Sequence, residues 1–325
     1  MSEHKVLVTG GCGFIGSNFI NYVLDSFNDI EIVNIDKMTY ASNKKYVKKN
    51  SRYKLIEADI CKQSLVNDIF QDEAPSVVVH FAAESHVDNS INGPEIFVET
   101  NIKGTFNLLE AAKKNKIKKF VHVSTDEVYG TLDRDSAPFT EFSRYQPNSP
   151  YAATKAGSDL IARSYRKTYG LNVIITNCSN NFGPHQNKEK FIPTVIKSIA
   201  NETPIPIYGD GKNIRDWIFV GDHCEALSKV AFGECSFENY NIGGNNEISN
   251  LELCKTICSI FDRLHPLARN SAELIHFVKD RPGHDFRYAI ENKSITKDFN
   301  WNPSKDFLDN LELTIQWYLD EFKQS

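Results

Sequence analysis

Residues 124–130, Ser-Thr-Asp-Glu-Val-Tyr-Gly, set Asp126 and Glu127 side by side at the end of the run "KKFVHVST". That run reads as a short buried strand opening into a loop. One acid at such a place is ordinarily a helix cap or a solvated loop residue. Two fit a proton donor and a proton acceptor, provided a substrate or cofactor lies beside them.

A second pair sits on a predicted helix. "NSPYAATKAGSDL" places Tyr151 and Lys155 four residues apart, on one helical face. Ser149 reads as the N-cap and Pro150 as the first helical residue. Alone, Tyr and Lys at this spacing are usually a surface pair. Alongside Ser124 or Thr125, and behind a nucleotide-binding fold, they read as a proton-transfer pair. A tyrosine acting near neutral pH must ionise about three units below its usual value of about 10, at a cost of roughly 4 kcal/mol. An ammonium about 4 Å away supplies about 4 kcal/mol at an effective dielectric of about 20. Burial opposes ionisation, so Lys155 alone barely suffices, and a cationic cofactor ring would supply the remainder.

That fold is announced by "VLVTGGCGFIGSNFI", where Gly10, Gly13 and Gly16 lie between a first strand and a first helix. Glycines there permit a tight turn and close backbone approach to a pyrophosphate, which the helix N-terminus then faces. Glycine turns are common, and the strand–turn–helix context gives this one its meaning. Asp36 closes the second strand, twenty residues after Gly16, where a carboxylate accepts from ribose hydroxyls. A 2′-phosphate would meet a like charge, which favours NAD over NADP; the bland alternative is a turn-forming Asp before "KMTY". Asp59 and Ile60 end the third strand beside the adenine, and "FAAESH", residues 81–86, ends the fourth near the middle of the dinucleotide.

The elements that must position these groups alternate. "KVLVTG", "EIVNID", "YKLIEAD", "SVVVHFA", "FVHVST" and "NVIITNC" are continuous apolar strands, as parallel sheets covered on both faces require. Helical patterns fall at 15–27, 63–71, 95–115 and 150–169. This predicts a doubly wound parallel α/β sheet over 1–181. After Asn181, Pro-, Gly- and polar-rich loops predict a smaller irregular α+β domain over 182–325. It closes on a helix at 306–322, and segments near 216–243 return to the first domain.

Composition agrees. Of 325 residues 41% are hydrophobic and 24% charged, and the net charge of −5 offers no basic face to nucleic acid or an anionic membrane. "MSEHK" runs straight into the first strand with no leader pattern, and no apolar run would span a bilayer. Seven scattered cysteines without a CxxC pair read as reduced thiols of a cytoplasmic protein, not a disulfide framework or a metal site.

The glycine pattern and YxxxK resemble the extended short-chain dehydrogenase/reductase superfamily, with its Rossmann domain. "DKMTYA", "AAESHVDNSI", "STDEVYG", "SPYAATKA", "ITNCSNNFGP", "EKFIP", "IYGDGKNIRDW", "YNIGG" and "DRPGHDFRYAI" are similar to the nucleotide-sugar 4,6-dehydratases, nearest the branch acting on dTDP-glucose. The resemblance runs from Thr9 to about Ile290. It implies that Tyr151 takes the O4 proton while hydride passes from C4 to NAD, and that Thr125 bonds the sugar near O4. Glu127 would be the base at C5 and Asp126 the acid that protonates the departing O6. It implies cofactor contacts from Phe14, Ile15, Lys37 and Thr39, from Phe81, Ala82, Ala83 and Ser85, and from Thr100, Ser124 and Asn181. For the sugar nucleotide it implies Ser85, Asn180, Lys190 and Phe191, then Pro206, Tyr208, Arg215 and Asn250, and finally Asp280, Arg281 and His284. Lys190 and Arg215 would face the pyrophosphate.

The resemblance also implies a homodimer built on helices 95–115 and 150–169, and a place in deoxysugar biosynthesis, rhamnose included. The acid pair disfavours a simple 4-epimerase, which needs only the Tyr and a Ser or Thr. Between dTDP and UDP, between glucose and N-acetylglucosamine, and on C5 inversion the sequence leaves the choice open. A non-catalytic NAD-binding regulator would have no use for Tyr151, Lys155, Asp126 and Glu127 together.

Overall fold

The computed structural model describes residues 4–323. Its first six strands are β1 (His4–Thr9), β2 (Ile30–Asp36), β3 (Tyr53–Glu57), β4 (Val77–His80), β5 (Lys119–Thr125) and β6 (Val173–Cys178). Short strands follow: β7 (Asn180–Phe182), β8 (Ile205–Tyr208), β9 (Ile214–Phe219), β10 (Asn239–Ile242), β11 (Glu247–Ser249) and β12 (Ile275–Val278). The main sheet has the order β10-β6-β5-β4-β1-β2-β3, and every pairing in it is parallel. The predicted doubly wound sheet is what forms. The chain winds outward from β1 through β2 and β3, then crosses back to β4. A crevice therefore opens at the carboxyl ends of β1 and β4, where such sheets bind ligands.

Helices α1 (Phe14–Ser26), α2 (Gln63–Glu73), α3 (Val87–Asn92), α4 (Glu95–Phe97), α5 (Thr105–Lys114) and α6 (Pro150–Tyr169) lie in the first part of the chain. Later come α7 (Phe191–Ala200), α8 (Val220–Phe232), α9 (Asn250–Leu264), α10 (Lys293–Phe299) and α11 (Phe307–Lys323). Alternation along β1 sends Val6 and Val8 to one face and Leu7 to the other. The first pair packs with Phe19 and Val23 of α1 and Leu227 and Val230 of α8. Leu7 packs with Phe70 of α2, Leu108 of α5 and Ala162 of α6. A separate core joins Ile192 and Ile196 of α7, Ile257 and Phe261 of α9, and Leu311 and Ile315 of α11.

Sequence and structure agree closely at α6. Ser149 Oγ accepts from the Ala152 amide at 3.1 Å, Pro150 stands in the first turn, and Gly170 ends the helix at φ 69°. They part at the predicted helix 95–115. It is broken by a π-helical segment over Val98–Gly104. The wider turn carries Asn101 inward, 1% exposed, where it clamps Glu84 by both backbone groups at 2.8 and 3.0 Å and donates to Thr154 Oγ1 at 3.0 Å. These long-range bonds override a local pattern that an α-helix would also have satisfied.

Candidate active site

A cavity of about 310 Å³ runs along the carboxyl ends of the strands. Its first wall is the glycine turn. Gly10 has φ 72°, and a Cβ there would meet the Ala82 amide nitrogen at 2.7 Å; on Gly16 it would meet the Gly10 carbonyl oxygen at 2.4 Å. No side chain caps α1, and no acid occupies its first turn. Its free amides therefore face a cavity lined by Phe14, Ile15 and Gly16 and are open to an anion.

Asp36, the expected ribose acceptor, lines the cavity and also ties the local backbone together. Oδ2 accepts from the Cys12 amide at 2.9 Å, and Oδ1 from the Met38 amide and Ser42 Oγ, both at 2.8 Å. These three bonds fix the glycine turn to the end of β2. A carboxylate has about four acceptor positions, so one is left for a ligand. Lys37 is paired with Asp59 at 2.8 Å, and Thr39, Asp59 and Ile60 line the same end of the cavity. Asp59 and Ile60 lie just beyond β3, which ends at Glu57.

At the other end the cavity meets Ser124, Thr125 and Glu127 of the β5 exit and Tyr151 and Lys155 of α6. The 3₁₀ turn Asp126–Tyr129, capped by the Thr125 hydroxyl, swings the two acids apart. Asp126 is 1% exposed and Glu127 half-buried. Asp126 Oδ1 receives only a 3.4 Å bond from Thr125 Oγ1, and Oδ2 has no partner among the described residues. Burial, with Glu127 adding to it, holds the Asp126 carboxyl well above the usual range and favours its protonated form. Burial also raises Glu127, but the charges of Arg281, Arg215 and Lys190 oppose the rise. The two acids thus differ in setting: burial favours the proton on Asp126, while cations near Glu127 favour its ionised form.

Lys155 is 4% exposed, and its Nζ donates to the Val123 carbonyl at 2.7 Å. Burial lowers its pKa, and Asp159 opposes that. Burial and the Glu127 carboxylate push the Tyr151 hydroxyl well above its ordinary value, with Thr125 countering. A cation beside Tyr151 would oppose that rise, and a nicotinamide ring would supply one. The groups present therefore fit a dinucleotide: the uncapped α1 amides would hold its phosphates, and Tyr151 would stand by its ring.

Phe81, Ala82, Ala83 and Ser85 line the middle of the cavity, with Thr100, Asn180, Asn181 and Lys190. Lys190 Nζ donates to the Ser85 carbonyl at 2.7 Å. The remaining expected substrate residues lie outside the cavity wall. Arg215, 5% exposed, gives its guanidinium to the carbonyls of Ile214 at 2.7 Å and Asp285 at 2.9 Å and stacks on Tyr288. Tyr208 and Arg281 converge on Asp88, at 3.1 and 3.0 Å. His284 pairs with Asp280 at 2.7 Å. Phe191 packs near Trp217, Pro206 is exposed on β8, and Asn250 begins α9.

Sequence reasoning passed over Tyr40, Glu84 and Glu189, which all line the cavity. Tyr40 donates to Glu189 at 3.1 Å. Tyr40 and Glu189 stand in "DKMTYA" and "EKFIP", so the signal lay beside residues already singled out. Among the described residues no cluster of His, Cys, Asp and Glu could hold a metal ion, and no helix is long and apolar enough to cross a membrane.

The site is that of a dinucleotide-dependent sugar-nucleotide enzyme, and comparison with known proteins agrees. Residues 7–314 match the family described as GDP-mannose 4,6 dehydratase, and the chain belongs to that family. It is 46% identical to the dTDP-glucose 4,6-dehydratase of Neisseria meningitidis serogroup B, over 97% of this chain and 93% of that one. With the Haemophilus influenzae enzyme of the same name it shares 47%, over 97% and 98%. Among solved structures, dTDP-glucose 4,6-dehydratase from Streptomyces venezuelae with NAD bound superposes at a TM-score of 0.90, with 41% identity and 98% of each chain covered. UDP-glucose 4-epimerase from Thermus thermophilus with NAD superposes at 0.87, with 26% identity over 97% of this chain and 99% of that one.

Proposed function

We propose that this chain is a hydro-lyase that converts dTDP-glucose to its 4-keto-6-deoxy sugar with a resident NAD. The observation that carries the reading is Glu127 at the same cavity end as Tyr151, among the charges of Arg281, Arg215 and Lys190, with Asp126 buried beside it in the same turn, just outside the cavity lining. NAD held along the glycine turn supplies a hydride acceptor for C4 and a hydride donor for C6.

The protein's own groups move the protons. Tyr151 removes the O4 proton, with Thr125 steadying that oxygen and Lys155 supplying positive charge. The ketone so formed acidifies C5–H, and Glu127 removes it. Asp126 protonates O6 as water leaves, and once C6 has received hydride, Glu127 would return its proton to C5 to complete the 4-keto-6-deoxy sugar. A 4-epimerase would need Tyr151 and Thr125 but not the acid pair, and the presence of that pair favours the dehydratase. The dTDP-glucose assignment is supported by the names of relatives sharing 46–47% of residues.

We read residues 1–181, with the returning α8 and β10, as the NAD unit, and most of 182–325 as the sugar-nucleotide unit. Ile96, Val98, Phe106 and Leu160 are large exposed apolar side chains on the helical stretch 95–114 and on α6. They support a homodimer, which a monomeric mass by light scattering would contradict. Seven unpaired cysteines favour a cytoplasmic setting, and the product class feeds 6-deoxysugars such as rhamnose.

The test uses dTDP-glucose deuterated at C4. The deuterium should reappear at C6 of the same molecule, without crossover in a mixture with unlabelled substrate and without free NADH accumulating. Scrambled label or steady NADH release would identify a simple dehydrogenase.

A further inference from the structure

Beneath the Tyr151–Lys155 pair lies a buried polar cluster that the reaction above does not use. Asp159 stands one turn beyond Lys155, so Tyr151, Lys155 and Asp159 share one face of α6. It is 1% exposed. Oδ2 accepts from Ser124 Oγ at 2.8 Å and from Asn177 Nδ2 at 3.4 Å. Oδ1 lies 3.1 Å from His122 Nε2, which is also 3.1 Å from Ser158 Oγ. Among the described residues no Lys or Arg nitrogen lies within 4.0 Å of this carboxylate. A buried acid so placed is costly unless charge nearby offsets it.

Resting on the proposed function, we infer that Asp159 is a positioning residue for the proton transfer at Tyr151: buried one helical turn beyond Lys155, its carboxyl group biases the charge of that side chain and holds Ser124 against the cavity. Every element packed around Lys155 bears on its charge. Asp159 faces it from its own helix, where Tyr151 stands one turn earlier, His80 from β4, His122 from β5 and Cys178 from β6. The two histidines are held neutral, by burial first and then by the lysine's own charge in His122. Asp159 is the largest influence opposing the drop that burial imposes on Lys155. Tyr129 and Tyr145 close the cluster from the loop side, and the Asp159 charge adds to the rise that burial gives both.

Removing the carboxylate charge should lower the Lys155 pKa. The ammonium is then lost at a lower pH, and the alkaline limb of the kcat profile moves toward neutrality. In Asp159→Asn that limb should fall by about one pH unit or more, a tenfold change in proton affinity. Asp159→Glu, which retains the charge, should keep it near the wild-type position. A role in packing alone would lower activity equally at all pH values and leave the limb in place, and that result would overturn the inference.

The second measurement needs no substrate. In protein carrying 13C-labelled lysine, with the Lys155 signal assigned from Lys155→Met, the wild-type side chain should be charged at neutral pH. A wild-type Lys155 that is already neutral there would overturn the inference even if Asp159→Asn does not fold. Wild-type protein without turnover on dTDP-glucose would instead sink the functional reading and leave this titration standing.

Discussion

Arg281 Nη1 donates to Asp88 Oδ1 at 3.0 Å, and this pair ties the 280–284 loop to α3, which follows the cavity-lining Ser85. The same carboxylate accepts from Tyr208 through Oδ2 at 3.1 Å. One acid of α3 thus holds two groups from remote parts of the chain, on β8 and in the 280–284 loop, and Arg281 in turn biases Glu127 toward its ionised form.

Asp88→Asn should therefore act on substrate binding more than on stability. Both partners are partly exposed, so the pair is worth up to about 1 kcal/mol. The expected change is a three- to fivefold rise in KM for dTDP-glucose, roughly 1 kcal/mol, with a melting temperature lowered by no more than a few degrees, about what that energy allows. Steady-state kinetics and calorimetry check both. An unchanged KM would mean that Arg281 is positioned without Asp88.

Asp126 should make stability depend on pH. Its folded pKa is raised by burial above the unfolded value, so its protonated form stabilises the fold fully below the unfolded pKa of about 3.9. That contribution is lost as pH rises through the folded value. Asp126→Asn removes the dependence. The variant should gain on wild type in melting temperature as pH rises from about 4 to about 8, while losing dehydration. Parallel curves across that range would contradict a buried, proton-holding Asp126.

Tyr151→Phe and Glu127→Gln should fail at different points. Tyr151→Phe loses the base for O4, so neither ketone nor NADH should form, and activity should drop by about 10²- to 10⁴-fold. Glu127→Gln should still give a burst of NADH absorbance in a single turnover and then stall before water loss. Elimination at the wild-type rate in Glu127→Gln would place the base elsewhere.

Asp36→Ala should do more than relax cofactor choice. It breaks the bonds from Cys12, Met38 and Ser42 as well as the expected ribose contact. Hydrogen bonds to a charged group are worth about 1.5–3 kcal/mol each, so NAD should bind at least about tenfold more weakly and the discrimination against NADP should shrink. Calorimetric titration measures both. Equal affinity of the unmodified protein for NAD and NADP would remove the argument.

The sheet was legible because strands covered on both faces read as unbroken apolar runs, and α6 was legible because Ser149, Pro150 and Gly170 mark its ends locally. The π-helical segment was not, since Asn101 is fixed by Glu84 and Thr154, which are remote in sequence. The acid pair and Tyr151–Lys155 could be found from spacing and type. Asp88, Glu189 and Asp159 look like ordinary surface or helix residues until the fold brings Arg281, Tyr40 and Ser124 to them. Arg215 was placed at the pyrophosphate by the resemblance alone; its guanidinium rests on backbone carbonyls beside Asp285 and Phe286.

The edge strand β10 has a consequence for how the chain is made. It pairs with β6 from Asn239 to Ile242 but is synthesised only after the short strands β7 to β9 and the helix α8. Until then a nascent chain presents β6 as an unpaired rim, with Val173, Ile174 and Ile175 otherwise destined for the interior. The seven-stranded sheet is thus completed by residues that follow β7 to β9 and α8 in the chain. A fragment ending at residue 182 should aggregate or require a chaperone, whereas a soluble fragment with the melting behaviour of the whole chain would show that β6 needs no cover.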